Sequence, residues 1–383
     1  MTTPSTEATE SVRLPLRPEL AGLEPYGAPQ LDVPVRLNVN ENPYPPSDAV
    51  VADIAAAVAE AAHGLNRYPD RDFGELRAEL AEYLRVESGV TLAPHHLWAA
   101  NGSNEVMLHL LQAFGGTGRA VLSFAPTYSM YPEYARDTLT AWIAARREED
   151  FSLDPGYAVA QVAAHRPAVI LLASPNNPTG TALPLSTIEA ICEAAATTGP
   201  ADADGGPTAS VVVVDEAYGE FRREGTPTAL DLLERFPHLA VSRTMSKAFG
   251  MAGLRLGYLA AAPALVDKLR VVRLPYHLSA VTQAAALAAL RHRGALMGQV
   301  ASLRAERDEL VTWLRGHGLQ VADSDANFVL FGVFEDRHAV WNGLLKRGVL
   351  IREVGPAGWL RVSVGTPQET AAFKAALEEV LGW

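Results

Sequence analysis

Residues 239–257 read LAVSRTMSKAFGMAGLRLG, and this stretch decides the fold. An apolar run leads into a polar turn around Lys247, and a second apolar run starts at Leu256. An apolar run without alternation is typical of a strand covered on both faces, as in a sheet that lies between helices. Residues that follow such a strand lie where open α/β sheets gather their binding groups. The stretch therefore predicts an α/β protein with Lys247 at its ligand-binding edge.

Similar apolar runs precede this stretch and predict the rest of the sheet. Between them, apolar residues recur at helical spacing, as in Asn104–Phe114. Alternation of strands and helices is typical of a mostly parallel sheet with crossover helices. The predicted strands are Leu97–Ala100, Ala120–Phe124, Ala168–Ala173, Ser210–Val214, Leu239–Arg243 and Leu256–Ala260.

The pattern changes after Pro275, which predicts a second, smaller α+β domain. Its predicted helices are Val281–His292, Leu303–His317 and one from Pro367, and its predicted strands are Asn327–Gly332 and Trp359–Val364. Ahead of the sheet, a tail rich in Thr, Ser and Glu is followed by a proline-spaced arm. The predicted organisation is a disordered tail at 1–12, an arm at 13–46, a large domain at 47–270, which includes a surface loop at Thr198–Thr208, and a small domain at 271–383.

Composition excludes several classes of protein. The 383 residues are 48% hydrophobic, which excludes disorder as the dominant state, and the net charge of −12 argues against a nucleic-acid partner. One cysteine, Cys192, allows no intramolecular disulfide and is interpreted as a small buried hydrophobe. We expect a cytoplasmic protein without a membrane anchor, because no long apolar window or leader is present. The histidines lack metal-ligand spacing, so no metal is expected.

Polar side chains follow four of the predicted strands. Asp215 comes directly after four valines, and it suits either a helix N-cap or the partner of a protonated ring nitrogen. Lys247, taken alone, would be a solvated charge. The hydroxyls of Thr244 and Ser246 and the cation of Arg255, together with Gly250 and Gly253, instead predict an anion pocket around its amine, suited to a phosphate beside a Schiff base.

The other two strand ends are weaker signals when taken alone. Asn177 lies in an Asn-Pro turn. Its amide and the Tyr218 hydroxyl are predicted to donate hydrogen bonds to a phenolate oxygen of the bound cofactor. The junction at Gly102, between a strand and a helix, offers backbone N–H groups to a phosphate. The four strand ends together are poorly explained by chance.

These residues resemble those of the fold-type-I pyridoxal-phosphate (PLP) enzymes, the class I/II aminotransferases, and more closely the histidinol-phosphate aminotransferases. The resemblance runs from about Tyr26 to the C-terminus. It is carried by LNVNENP at 37–43, RYPD at 67–70, GSNE at 102–105, SPNNPTG at 174–180, VVDEAY at 213–218, the lysine stretch at 243–255 and RVSVGT at 361–366. The resemblance implies a mostly parallel seven-stranded sheet between helices, with the smaller α+β domain beside it.

The resemblance also implies roles for individual residues. Lys247 would be the Schiff-base lysine that moves the proton between Cα and the C4′ of the cofactor, and Asp215 would hold the pyridine nitrogen. Asn177 and Tyr218 would lie on the phenolic oxygen, and Tyr128 would stack on the ring. The cofactor phosphate would be held by Gly102, Ser103, Asn104, Thr244, Ser246 and Arg255.

On the substrate side, the resemblance implies Tyr26, Asn42, Tyr68, Asn177, Arg352 and Arg361. Tyr68 would reach in from the other subunit, so a homodimer with shared sites is expected, with the arm packed on the small domain and the partner. Two arginines suit substrates with different anions, because a guanidinium pairs with phosphate or carboxylate. Asn104 and His277 depart from the family pattern; we interpret His277 as a polar residue at a helix start rather than a substrate contact.

The implied reaction transfers the amino group of L-histidinol phosphate to 2-oxoglutarate, in histidine biosynthesis. An aromatic amino-acid aminotransferase acting on phenylalanine is the alternative, since substrate choice depends on a few pocket contacts. A phosphothreonine decarboxylase is a third, more distant alternative for the function. An effector-sensing module of a transcription regulator would need a basic DNA-binding domain, and the residues before Leu37 are too few and too acidic.

Overall fold

A computed structural model describes residues 14–383, so the predicted tail at 1–12 lies outside the described residues. The chain divides into two compact units, one up to Gln30 and one from Leu31 to Trp383. In the described part of the first unit, Pro18–Leu20 form a short 3-10 helix. The strands, helices and candidate site residues described below belong to the second unit, except where stated.

The second unit alternates strands and helices, as predicted. The strands are β1 (Val35–Arg36), β2 (Leu97–Ala100), β3 (Ala120–Ala125), β4 (Ala141–Arg146), β5 (Val169–Ala173), β6 (Val211–Asp215), β7 (Leu239–Thr244), β8 (Gly257–Ala261), β9 (Gln320–Val321), β10 (Phe328–Gly332), β11 (Val349–Leu350) and β12 (Trp359–Ser363). The helices are α1 (Asp48–Ala62), α2 (Gly74–Ser88), α3 (Ser103–Phe114), α4 (Tyr131–Asp137), α5 (Pro155–His165), α6 (Leu185–Ala195), α7 (Pro263–Val272), α8 (Ala280–Arg291), α9 (Arg293–Gly316), α10 (Arg337–Lys346) and α11 (Pro367–Leu381).

A seven-stranded sheet in the order β2-β8-β7-β6-β5-β3-β4 confirms the predicted fold class. The pairs from β4 through β7 are parallel, and β8 is antiparallel to both β7 and β2. All residues of β5, β6 and β7 are buried, as expected for strands covered on both faces. The carboxyl ends of β5, β6 and β7 therefore meet at one edge, which is where the candidate residues follow.

The six predicted strands are present, each within one residue of its predicted bounds. Within this sheet, the sequence analysis missed β4, which lies at the edge and is exposed at three of its six residues. It pairs only with β3, so it lacks the continuous apolar run of the inner strands. Residues 198–208 form an irregular and mostly exposed loop, as predicted.

The C-terminal part carries two small sheets. Strands β12, β10 and β9 form an antiparallel sheet, and β1 pairs in parallel with β11, which joins the end of the predicted arm to this region. A separate group of buried apolar residues, including Leu314, Phe331 and Phe373, lies here. Helix α9 starts at Arg293, ten residues before the prediction of Leu303. The division between residues 270 and 271 stays a prediction.

Within residues 14–383, no helix combines the length and the apolar character needed to span a bilayer.

Candidate active site

Lys247 follows β7, and its amine points back into the sheet edge. Its Nζ donates to the backbone oxygen of Val39 at 2.9 Å and lies 5.9 Å from the ring centroid of Tyr218. The pKa of the amine is lowered to about 8, mainly by burial and also by the cations of Arg361 and Arg255, while Glu41 opposes these effects. An amine with this pKa is available as a base or nucleophile near neutral pH.

Asp215 ends β6, and its carboxylate is buried. One oxygen, Oδ2, accepts a hydrogen bond from the Tyr131 hydroxyl at 3.0 Å, and Oδ1 accepts from the Ala217 N–H at 3.2 Å. Burial raises the pKa of Asp215 to about 6, whereas these two hydrogen bonds act in the opposite direction. Both donors are neutral groups. A buried carboxylate in such surroundings suits a ligand that brings its own positive charge.

The Tyr218 hydroxyl is held by two amides. It accepts from Asn40 Nδ2 at 3.0 Å and from Asn177 Nδ2 at 3.4 Å. A hydroxyl has two acceptor positions and one proton, so the proton of Tyr218 is directed to a third partner. Tyr218 and Asn177 therefore lie together, as predicted, although β5 and β6 deliver them from different strand ends.

Arg361 joins this group from the smaller antiparallel sheet. Its Nη1 donates to Asn177 Oδ1 at 2.5 Å and its Nη2 donates to the Asn38 backbone oxygen at 2.8 Å. Arg352 is paired with Arg361 through two backbone hydrogen bonds of 2.9 Å. Residues directly opposite in an antiparallel pair extend to the same face, so the two arginine side chains share one face.

Thr244, Ser246 and Arg255 form a polar cluster beside Lys247. The Ser246 N–H and Oγ lie 3.1 Å from the Thr244 hydroxyl, and Arg255 Nη1 donates to Ser246 Oγ at 3.5 Å. Gly102 has a φ of +82°, and a methyl group there would lie 2.5 Å from Arg255 Nη2. A side chain on Gly257 would likewise overlap the Ser103 amide nitrogen. These two glycines let the start of α3 lie against the cluster, an arrangement that is chemically suited to an anion.

The comparison with known families agrees with this geometry. The model of the family described as aminotransferase class I and II matches residues 33–377. The chain belongs to this family. The aminotransferase is 62% identical to the histidinol-phosphate aminotransferase of Thermobifida fusca over 369 residues, and 60% identical to histidinol-phosphate aminotransferase 3 of Burkholderia lata over 368 residues. Each of these alignments covers 96% of both chains.

A solved structure shares the fold. The histidinol-phosphate aminotransferase from Sinorhizobium meliloti, determined in complex with pyridoxal-5′-phosphate, superposes with a TM-score of 0.83 at 23% identity. The match covers 98% of the aminotransferase and 99% of that chain. It confirms the predicted fold type, with the seven-stranded sheet at its centre.

Not every candidate joins the central group of the aminotransferase. Asn42 lies close, since its Nδ2 donates to the Ala248 backbone oxygen at 3.2 Å, next to Lys247. Tyr68 is 79% exposed and stacks on Tyr276 at 4.3 Å. Tyr26 belongs to the first unit, so its predicted substrate contact stays a prediction.

The two departures from the family pattern are placed as follows. The Asn104 side chain accepts a hydrogen bond from the Tyr134 hydroxyl at 2.8 Å. His277 lies three residues before α8, stacks on Trp98 at 5.4 Å, and its Nε2 lies 2.9 Å from the Ala99 backbone oxygen. The ring of His277 therefore packs against the aromatic side chain of β2. The residue at the start of α8 is Ser279, so the predicted helix-start position of His277 is wrong.

The sequence analysis missed two contributors to the site. Tyr131 begins α4, three residues after Tyr128, and their rings meet edge to face at 5.6 Å. The only sequence signal was this spacing, which places both on one turn. Asn40, the second amide on Tyr218, lies in the quoted LNVNENP segment and has a φ of +56°. Such a backbone conformation is uncommon outside glycine and favours asparagine.

The pKa of Lys247 gives a testable pH dependence. In the cofactor-free protein, labelling of this amine with an aldehyde and cyanoborohydride is expected to rise with pH around a midpoint of about 8, since only the unprotonated amine reacts. The lysine of the unfolded chain keeps this proton up to its ordinary pKa of 10.5, so the stability of the cofactor-free protein is expected to rise between these two pH values. Mass spectrometry of the labelled peptide provides the midpoint. The exposed Lys268 is the control, and equal midpoints for both lysines would contradict the environment described for Lys247.

Proposed function

We propose that the aminotransferase transfers the amino group of L-histidinol phosphate to 2-oxoglutarate, with PLP as its cofactor, and so forms imidazole-acetol phosphate and L-glutamate in histidine biosynthesis. One observation carries the proposal. Arg361 is bonded to Asn177, Asn177 is bonded to Tyr218, and the Lys247 amine lies over the Tyr218 ring. A substrate anion on Arg361 would thus bring its amino group to the lysine. The high identity to histidinol-phosphate aminotransferases supports this substrate over phenylalanine.

The residues present fit PLP at both ends of the molecule. At the phosphate end, the N–H groups of Ser103 and Asn104 begin α3, and the hydroxyls of Thr244 and Ser246 and the cation of Arg255 lie against that start. The N–H of Gly102 donates to the Ala100 backbone oxygen at 2.8 Å, so Gly102 contributes mainly by its lack of a side chain. At the ring end, the buried carboxylate of Asp215 suits a protonated pyridine nitrogen.

When bound, PLP supplies an aldehyde that joins covalently to amines and a protonated ring that withdraws electrons from the bond to be broken. Lys247 would hold the cofactor through its amine. During transamination, the lysine Nζ would carry the proton from the substrate Cα to C4′ of the cofactor. A pKa of about 8 suits this exchange, because the amine both accepts and releases a proton near neutral pH.

Three further residues would set the electronic state of the ring. Asp215 would hold the proton on the ring nitrogen, and Tyr218 and Asn177 would donate to the phenolic oxygen. The amide of Asn40 keeps the Tyr218 hydroxyl in place from the opposite side. Tyr128, which is half-buried on the turn before α4, would cover one face of the ring.

The paired arginines suit the two substrates. Histidinol phosphate carries a phosphate and no carboxylate, whereas glutamate carries two carboxylates. Arg361 is fixed by Asn177 and Asn38, and Arg352, which is bridged to it through the backbone, extends to the same face. A guanidinium binds either anion through paired hydrogen bonds, so one pocket serves both substrates in turn.

Substrate preference tests the proposal directly. With 2-oxoglutarate as acceptor, kcat/KM for histidinol phosphate is expected to exceed that for phenylalanine by about a hundredfold or more, because phenylalanine offers no phosphate to the arginine face. Steady-state rates with the purified enzyme provide both values. Preference for phenylalanine would contradict the assignment. Restored growth of a histidine auxotroph that lacks this transaminase would place the reaction in the cell.

We further infer a cytoplasmic homodimer with shared active sites, a large domain at 47–270 and a small domain at 271–383. The exposure of Tyr68 supports the shared site, since its ring is available to a second subunit. The pairing of β1 with β11 supports the arm, and the separate apolar group supports the small domain. Mixing a Lys247 variant with a Tyr68 variant, each inactive alone, tests the dimer: recovered turnover supports it, and no recovery contradicts it.

A further inference from the structure

Tyr131 makes a buried contact with the carboxylate that would face the cofactor ring. Its side chain is fully enclosed at the start of α4, and its hydroxyl donates to Asp215 Oδ2 at 3.0 Å. The hydroxyl comes from the far side of the β3–α4 connection, 84 positions before Asp215 in the chain. With the Ala217 N–H on the other oxygen, the carboxylate is held from two directions.

We propose that Tyr131 is a positioning residue that keeps the shared proton on the cofactor ring nitrogen, by donating its hydroxyl hydrogen to Asp215. The inference rests on the proposed role of Asp215 toward that nitrogen. It adds Tyr131 as a second residue that would determine whether the proton lies on the ring nitrogen or on the carboxylate of Asp215.

The physical reason is the competition between two bases for one proton. In a buried site, a carboxylate and a pyridine favour the neutral pair, in which the acid holds the proton. A hydrogen bond donated to the carboxylate makes it a weaker base and so moves the proton to the ring. Burial raises the pKa of Asp215, and the Tyr131 hydroxyl is the largest opposing contribution.

The tyrosine itself keeps its proton throughout. Burial and the nearby charge of Asp215 raise its pKa well above the ordinary value for a phenol. It therefore acts as a permanent neutral donor. Its backbone N–H also donates to the Tyr128 oxygen at 3.1 Å, so one short turn holds both the residue proposed to cover the ring and the donor to Asp215.

Tyr131→Phe removes the hydroxyl and keeps the ring that fills the core. In the PLP-bound enzyme, the nitrogen NMR shift of ¹⁵N-labelled PLP is expected to move toward that of an unprotonated pyridine, and kcat is expected to fall by about tenfold, typical of one hydrogen bond to a charged group. Tyr83→Phe is the matched control, since that buried tyrosine donates to another carboxylate, Glu220, at 3.1 Å. It is expected to leave the ring nitrogen signal unchanged.

The same substitution in an Asp215→Asn background separates positioning from packing. If Tyr131 acts through Asp215, its replacement there changes kcat by no more than about twofold, whereas a purely structural role gives the same loss in both backgrounds. Equal losses, or an unmoved nitrogen signal in Tyr131→Phe, would overturn the inference. If Asp215→Asn alone leaves the nitrogen protonated, the proposed role of Asp215 fails instead, so the two failures are distinguishable.

Discussion

Lys247→Ala is expected to lower transamination by about four orders of magnitude or more, because one side chain supplies both the covalent attachment and the proton transfer. No other described lysine or histidine lies in the group formed by Asp215, Tyr218, Asn177 and Arg361, so no neighbour replaces it. The rate of transamination is measured in two ways: from the change in cofactor absorbance during a single turnover with histidinol phosphate, and from steady-state turnover.

Folding of this variant is expected to be intact. Below a pH of about 8, the native protein holds a lysine whose charged form is disfavoured by burial, and alanine removes that cost. The thermal midpoint of the cofactor-free variant is therefore expected to equal or exceed that of the wild type. Lys268→Ala, at an exposed site on α7, is the control and is expected to retain full turnover. Substantial turnover in Lys247→Ala would refute the assignment.

Arg361→Ala is expected to lower kcat/KM for both histidinol phosphate and glutamate by about a thousandfold, the upper range for losing a buried charged partner. Arg361→Lys is expected to lower kcat/KM by nearly as much, since an ammonium group does not bridge Asn177 and Asn38 in the way that the guanidinium does. Initial rates over a range of each substrate provide the two values. A loss below about tenfold for both substrates would contradict the anion-binding role.

A second measurement distinguishes this role from a general loss of structure. The cation of Arg361 lowers the pKa of Lys247, so the labelling midpoint of Lys247 is expected to rise in Arg361→Ala. Arg347→Ala is the control, because that arginine pairs with Glu379 on the surface. It is expected to leave both kcat/KM and the labelling midpoint unchanged.

The sheet was predictable where burial left a continuous apolar run. Strand β6, with four consecutive valines, and strand β7 have this pattern, and both were found. Edge strand β4 mixes Ala, Trp, Ile and Arg, so its sequence does not separate it from a loop. The start of α9 was missed because Gly294 and Gly298 interrupt its first turns, although Leu296 and Val300 are buried on one face. The reversed direction of β8 depends on tertiary pairing, which no local pattern reports.

The position of candidate-site residues was predictable where they end a strand or closely follow one. Lys247, Asp215 and Asn177 are of this kind, and the parallel pairing of β5, β6 and β7 brings them to one edge. The contact of Tyr131 was not predictable, because its partner Asp215 is distant in sequence. Its own segment also contains several tyrosines that the sequence does not distinguish. The contact of Lys247 with the Val39 backbone was also beyond prediction, since a carbonyl oxygen has no sequence signature.

The antiparallel strand β8 limits where the chain tolerates inserted or deleted residues. Because Thr244 is paired with Gly257, the chain leaves and re-enters the sheet at the same edge, and Met245 N–H donates to the Leu256 oxygen at 3.0 Å. Lys247 and Arg255 thus belong to one closed loop of fixed length. An inserted or deleted residue there would change the spacing between them, whereas the exposed loop at 198–208 carries no such constraint. Length variation and fusion points in this enzyme are therefore expected at 198–208 rather than in the stretch from 245 to 256.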